Sequence, residues 1–119
     1  MGERNCSCAG ATLLVAEACQ AIIQDVKPGP YHVVLYGSEA RGEATEESDI
    51  DLFVVLENAD LQAVAALRDA VYRVMWNHDF SRLISVKAMS WGDFEEQRGK
   101  GFSYVRNIAR EGVVLWRAA

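Results

Sequence analysis

Apolar residues recur along this chain with two different spacings, and each spacing predicts one kind of element. Steps of three and four residues are typical of one face of an amphipathic helix, and short runs that are apolar on both faces are typical of a covered strand. The elements predicted in this way are, in chain order, a helix over 11–26, strands over 31–36 and 52–56, a helix over 60–76 and a strand over 83–89.

The C-terminal part of the chain adds a last helix. Ser90 precedes Asp93 at the spacing of a helix cap, and the helix that follows ends at Gly112. Residues 113–116 are apolar and form either a short edge strand or a packing tail. The order helix, strand, strand, helix, strand, helix predicts an α+β, or mixed α/β, domain whose helices cover a small sheet, with the first two strands as neighbours.

Length and composition indicate one domain. Of the 119 residues, 50% are hydrophobic and 24% are charged, which excludes a disordered chain. We therefore interpret residues 1–119 as a single domain with a loose tail over 1–9. No apolar stretch approaches the ~18 residues that a membrane span requires, and the N-terminus lacks the order of a signal peptide, so a cytoplasmic protein that does not enter a membrane is expected.

The charge of the chain is uneven. Residues 1–64 carry a net charge of −8 and residues 65–119 carry +3. An acidic half repels phosphate backbones, so stable nucleic-acid binding is not expected, whereas a divalent cation is attracted.

The cysteines predict neither disulfides nor a zinc site. Their odd number, three, argues against a disulfide framework when no secretion signal is present. Cys6 and Cys8 have no histidine at metal-site spacing, and Cys19 lies on the apolar stripe of the first helix. A core position is therefore predicted for Cys19.

A polar motif connects the first two predicted strands. Gly37-Ser38 follows the first strand directly, where glycine permits a sharp turn, and the free N–H groups of a helix starting at Ser38 would suit a phosphate. Asp49 and Asp51 open the second strand at i and i+2, so their carboxylates lie on one side and repel unless a cation bridges them. Carboxylate oxygens suit magnesium. A phosphate loop beside a magnesium site is the arrangement that phosphoryl or nucleotidyl transfer needs.

Each half of this motif has a simpler interpretation when taken alone. A Gly-Ser pair after a strand is usually a turn, and paired aspartates at a strand entrance are usually solvated. The combination with Ser48 before Asp49, and with Arg41-Gly42 inside the loop, is more specific. Arg41 could clamp a phosphate or pair with a neighbouring glutamate.

The motif resembles the minimal nucleotidyltransferase family of the DNA polymerase beta superfamily. The signature of that family is a strand ending in Gly-Ser, about ten residues, and then Asp-hydrophobic-Asp, which is matched closely over 31–56. The resemblance implies that a nucleoside monophosphate passes from a nucleoside triphosphate to an acceptor and that pyrophosphate leaves. It assigns Gly37 and Ser38 to the triphosphate, and Asp49 and Asp51 to catalysis and to two magnesium ions. Arg41 and Ser48 are further predicted nucleotide-binding residues.

The chain departs from the family at one position. The family commonly carries a third carboxylate on the next strand, where it would bind the second metal and help to deprotonate the acceptor. The predicted strand over 83–89 contains no acid, although Ser85 could make a water-mediated contact and Lys87 a phosphate contact. An exposed strand lysine is the more ordinary interpretation of Lys87. A missing general base typically costs about 100- to 10,000-fold in rate.

The resemblance also suggests an acceptor. Small stand-alone members of the family are often encoded beside an all-helical HEPN partner and act as the antitoxin of a toxin–antitoxin pair, some by adding AMP to tyrosine hydroxyls of the toxin. The leading hypothesis is therefore an ATP-dependent protein adenylyltransferase that binds and modifies a HEPN-type partner. Two alternatives stay open: a degenerate domain that neutralises its partner by binding alone, and transfer to a small molecule such as an aminoglycoside. A nucleotide other than ATP and a homo-oligomer are also compatible with the sequence.

Overall fold

The computed structural model of the protein describes residues 9–45, 47–101 and 103–118. Of the predicted tail, residues 1–8, which include Cys6 and Cys8, lie outside the described residues, and Ala9 belongs to the first helix. The elements are α1 (Ala9–Asp25), β1 (Pro30–Tyr36), α2 (Ser38–Arg41), β2 (Ile50–Leu56), α3 (Leu61–Asn77), β3 (Ile84–Ser90), α4 (Trp91–Lys100), α5 (Ser103–Glu111) and β4 (Val113–Arg117). The mixed α/β class predicted from the sequence is confirmed.

The four strands form one mixed sheet in the order β3-β2-β1-β4. β1 pairs antiparallel with β2, as neighbours predicted from the sequence, and antiparallel with β4, while β2 and β3 are parallel. β1 and β2 are therefore the central strands, which explains why both are apolar on both faces. The structure also decides the open question about residues 113–116, because they belong to the edge strand β4.

The first face of the sheet is covered by α1 and α3. Alternate residues of β2, among them Ile50, Leu52 and Val54, pack here against apolar side chains of both helices. Each such side chain contributes about 1.5–3 kcal/mol when it is removed fully from water. Cys19 is buried in this core, as predicted, and burial raises the pKa of its thiol.

The second face of the sheet is covered by α4 and α5. Phe53 and Val55 of β2 pack here against Phe94 of α4 and Ile108 of α5. Because side chains alternate along a strand, Asp51 lies on this same second face. The sheet thus separates the larger core from the side on which the motif presents its carboxylates.

The last predicted helix is two helices in the structure. Ser90 caps α4 as the sequence indicates, since its hydroxyl accepts a hydrogen bond of 3.1 Å from the N–H of Asp93. α4 then ends at Gly101, whose φ of 79° is left-handed and stops helical hydrogen bonding.

Among the described residues, no helix combines the length and the apolar character needed to cross a membrane.

Candidate functional site

The turn between β1 and α2 requires glycine for two reasons. Gly37 has a φ of 76°, a conformation that residues with a Cβ rarely adopt. A methyl group built on Gly37 would also overlap Oδ2 of Asp51. The absence of a side chain therefore lets the backbone of the loop lie directly against a carboxylate of the motif.

A short helix follows this glycine, as the sequence predicts. α2 begins at Ser38, and its first N–H groups have no partner within the helix. Gly42, with a φ of 75°, ends the helix, and the N–H of Glu43 then donates to the carbonyl of Ser38 at 2.9 Å. Gly37 and Ser38 are thus placed in a tight turn whose backbone donors are available to an anion.

The two aspartates of the motif interact with each other electrostatically. Asp51 of β2 lies opposite Tyr36 of β1 in the antiparallel pairing and is half-buried. Asp49 is exposed and lies just before β2. Burial raises the pKa of Asp51, and the charge of Asp49 raises that pKa further. Lys87 and Arg41 act in the opposite direction and lower it. Two carboxylates and two basic groups therefore share this side of the sheet.

This donor set fits a divalent cation. Two carboxylates that repel each other are stabilised when a cation neutralises them, and hard oxygen ligands are those that magnesium prefers. Within the part of the chain that the structure describes, no group of three or more His, Cys, Asp or Glu side chains is close enough to hold a metal. Asp49 and Asp51 are therefore two candidate carboxylate ligands, with no third one beside them among the described residues.

The neighbouring strand adds two polar side chains to the site. In the parallel pairing of β2 with β3, Ser85 lies beside Asp51 and Lys87 lies beside Phe53. Paired residues of adjacent strands point to the same face, so Ser85 and Lys87 share the face of the aspartates. The sequence showed that this strand has no acid, and the structure shows that a hydroxyl and a lysine occupy that side of it.

Sequence reasoning missed an arginine that joins the two halves of the motif. Arg82 donates from Nη2 to Oε1 of Glu39 in α2 at 2.9 Å, and from Nε to the carbonyl of Ser48 at 2.8 Å. The ion pair is largely shielded from solvent, since Glu39 is buried with 6% of its side chain exposed and Arg82 is partly buried with 12% exposed. Arg82 therefore ties α2 to the residue directly before Asp49.

The other two predicted nucleotide-binding residues have partners within the loop. Arg41 pairs with Glu43 at 3.0 Å on the surface, which is the alternative that the sequence left open for it. The hydroxyl of Ser48 accepts a hydrogen bond from the N–H of Thr45 at 3.0 Å and so closes a turn. Contacts of Arg41 and Ser48 with a nucleotide stay predictions.

Comparison with known proteins identifies the family. A model of the nucleotidyltransferase domain matches residues 16–111. None of the curated proteins matches the chain significantly. Among solved structures, the chain is similar to that described as "a putative nucleotidyltransferase from Sulfolobus solfataricus", with 20% identity, coverage of 90% of this chain and 77% of that chain, and a TM-score of 0.48. The predicted resemblance is thus confirmed, and because the family model spans more than half of the chain, this protein belongs to the nucleotidyltransferase domain family.

Proposed function

We propose that this protein transfers AMP from ATP to a hydroxyl group of a partner protein, with magnesium as the metal. The observation that carries the proposal is the close approach of Gly37 to Asp51, which supports a site where a turn suited to phosphate lies beside a carboxylate suited to a metal. Membership of the nucleotidyltransferase family supports the reaction class. A cytoplasmic location, where ATP and magnesium are both abundant, is part of the proposal.

The proposed reaction is a substitution at the α-phosphorus of the nucleotide. The acceptor oxygen forms a bond to this phosphorus, and the bond from the phosphorus to the oxygen that bridges to the β-phosphate breaks. Pyrophosphate leaves with the electrons of that bond, and the proton of the hydroxyl passes to solvent. A magnesium ion held by Asp49 and Asp51 neutralises phosphate charge when it is bound.

The protein itself mainly orients the reactants. The backbone at Gly37 and Ser38 binds phosphate oxygens, and Arg82 holds this loop in a fixed relation to Asp49. Positioning of this kind supplies much of the rate enhancement in phosphoryl transfer, since the reacting atoms must be in line.

A protein acceptor is supported by an exposed aromatic cluster at the C-terminal end of α3 and in the turn that follows it. Tyr72, Trp76 and Phe80 contact one another, with ring centroids 5.4–6.4 Å apart. Trp76 is 62% exposed, and aromatic residues of this kind are enriched at protein interfaces. We propose a helical protein of the HEPN type as the partner, in the arrangement of a toxin–antitoxin pair.

Intact-mass analysis tests this function directly. The protein is incubated with ATP, magnesium and a co-encoded helical partner, and the mass of each chain is measured. The expected result is a mass step of one AMP on the partner, which disappears with the Asp49→Asn variant. No step on either chain, with any of the common nucleoside triphosphates, would contradict the proposal.

The second candidate function is neutralisation of the partner protein by binding alone, without transfer of a nucleotide. It is favoured by the absence of a third metal-ligating side chain beside Asp49 and Asp51 in the described part of the chain. In that case the variant with both aspartates replaced by asparagine should still neutralise the partner. Loss of neutralisation in a variant that remains folded and still binds the partner would instead support transfer.

A further inference from the structure

The strand β3 presents a cation to the site in a place where the family commonly has an acid. Ser85 lies beside Asp51 in the parallel register, and Lys87 lies two residues further along the same face. The side chain of Lys87 is exposed. Because β3 is an edge strand, a ligand can reach Lys87 from solvent as well as from the site.

Lys87 has no ion-pair partner among the described residues, in contrast to Arg41 and Arg82. Arg41 pairs with Glu43 at 3.0 Å, and Arg82 pairs with the buried Glu39 at 2.9 Å. Among the residues that the structure describes, Lys87 takes part in none of the ion pairs within 4.0 Å, although its charge acts on Asp51. Because Lys87 is in none of these ion pairs among the described residues, its ammonium group is available to a phosphate.

We propose that the site binds a single divalent cation and that Lys87 supplies the second positive charge, as a direct contact to the triphosphate. This inference rests on the proposed function and refines its expectation of two magnesium ions. A second cation on the β3 side would have a neutral hydroxyl, Ser85, and a positive ammonium group as its nearest neighbours on that strand. A lysine ammonium group offers three donors on a flexible stem and binds phosphate as a point charge.

Counting the bound metal tests the inference without relying on activity. Mn²⁺ replaces magnesium, and an ATP analogue with a methylene group between the α- and β-phosphates is supplied at one equivalent, so that no transfer occurs. Electron paramagnetic resonance of free Mn²⁺ then gives the number of ions bound per protein. We expect one ion for the natural chain and two for Lys87→Asp, which adds a carboxylate on the face of Asp51.

Nucleotide affinity provides the second measurement. A charge-assisted hydrogen bond to phosphate corresponds to a loss of about 10- to 100-fold in affinity when the donor is removed. We expect Lys87→Ala to weaken binding of the analogue by that factor and Lys87→Arg to retain most of it. Lys27→Ala is the matched control, because Lys27 is exposed just before β1, about 20 Å along that strand from the site.

The outcomes separate this inference from the proposed function. Two Mn²⁺ ions bound to the natural chain, or an affinity unchanged in Lys87→Ala, would overturn the role of Lys87 while AMP transfer could still be observed by mass. A natural chain that binds neither Mn²⁺ nor the analogue would overturn both. One ion, with affinity reduced in Lys87→Ala and not in Lys27→Ala, would establish it.

Discussion

Replacement of Arg82 by alanine is a direct test of how the site is held together. The side chain bridges α2 and the segment before β2, with hydrogen bonds of 2.9 Å to Glu39 and 2.8 Å to the carbonyl of Ser48. In Arg82→Ala the carboxylate of Glu39 stays in a site where only 6% of its side chain is exposed. The variant therefore leaves a buried charge without its partner.

The expected loss of stability follows from that burial. Removal of one partner from a buried ion pair costs about 3–5 kcal/mol, a large part of the ~5–15 kcal/mol that stabilises a typical domain. With a shift of roughly 4 °C per kcal/mol, the midpoint of thermal unfolding should fall by about 10–20 °C. Arg41→Ala is the matched control, because Arg41 and Glu43 are 47% and 65% exposed and such pairs contribute about 0–1 kcal/mol.

Thermal denaturation followed by circular dichroism measures both variants. A double variant in which Glu39 and Arg82 are both methionine should recover most of the lost stability, since no charge is then left buried. If Arg82→Ala unfolds within about 4 °C of the natural chain, the range expected for Arg41→Ala, the buried pair does not stabilise the loop and the reasoning is refuted.

Three further predictions concern the motif and the aromatic cluster. Gly37→Ala should abolish binding of the ATP analogue, measured by calorimetry, because the added methyl group would overlap Asp51. Gly42→Ala should lower the free energy of unfolding by only about 1–2 kcal/mol of backbone strain, because nothing lies within 4 Å of its added methyl group. Without metal, Asp51→Asn should raise the melting temperature at pH 7: folding raises the pKa of Asp51, so the natural chain loses stability as pH rises through that pKa. That gain should vanish near pH ~3, where Asp51 is protonated in both states. Trp76→Ala should weaken partner binding at least tenfold in a pull-down titration and leave Mn²⁺ binding unchanged.

The sequence by itself determined most of the elements and the positions of the motif. Helical spacing and covered strands are local properties, so α1, α3 and the three longer strands lie within two residues of their predicted bounds. The glycine at position 37 and the aspartates at 49 and 51 were also readable, because a left-handed turn and two same-side carboxylates follow from neighbouring residues.

Only the tertiary structure decided which distant residues complete the site. Arg82 and Glu39 are 43 residues apart in the chain, and no spacing rule connects them. The role of Lys87 depends on the register of β3 against β2, because a shift of one residue would move it to the other face. Register and ion pairing are set by how the whole chain packs, whereas periodicity reports only what each segment buries.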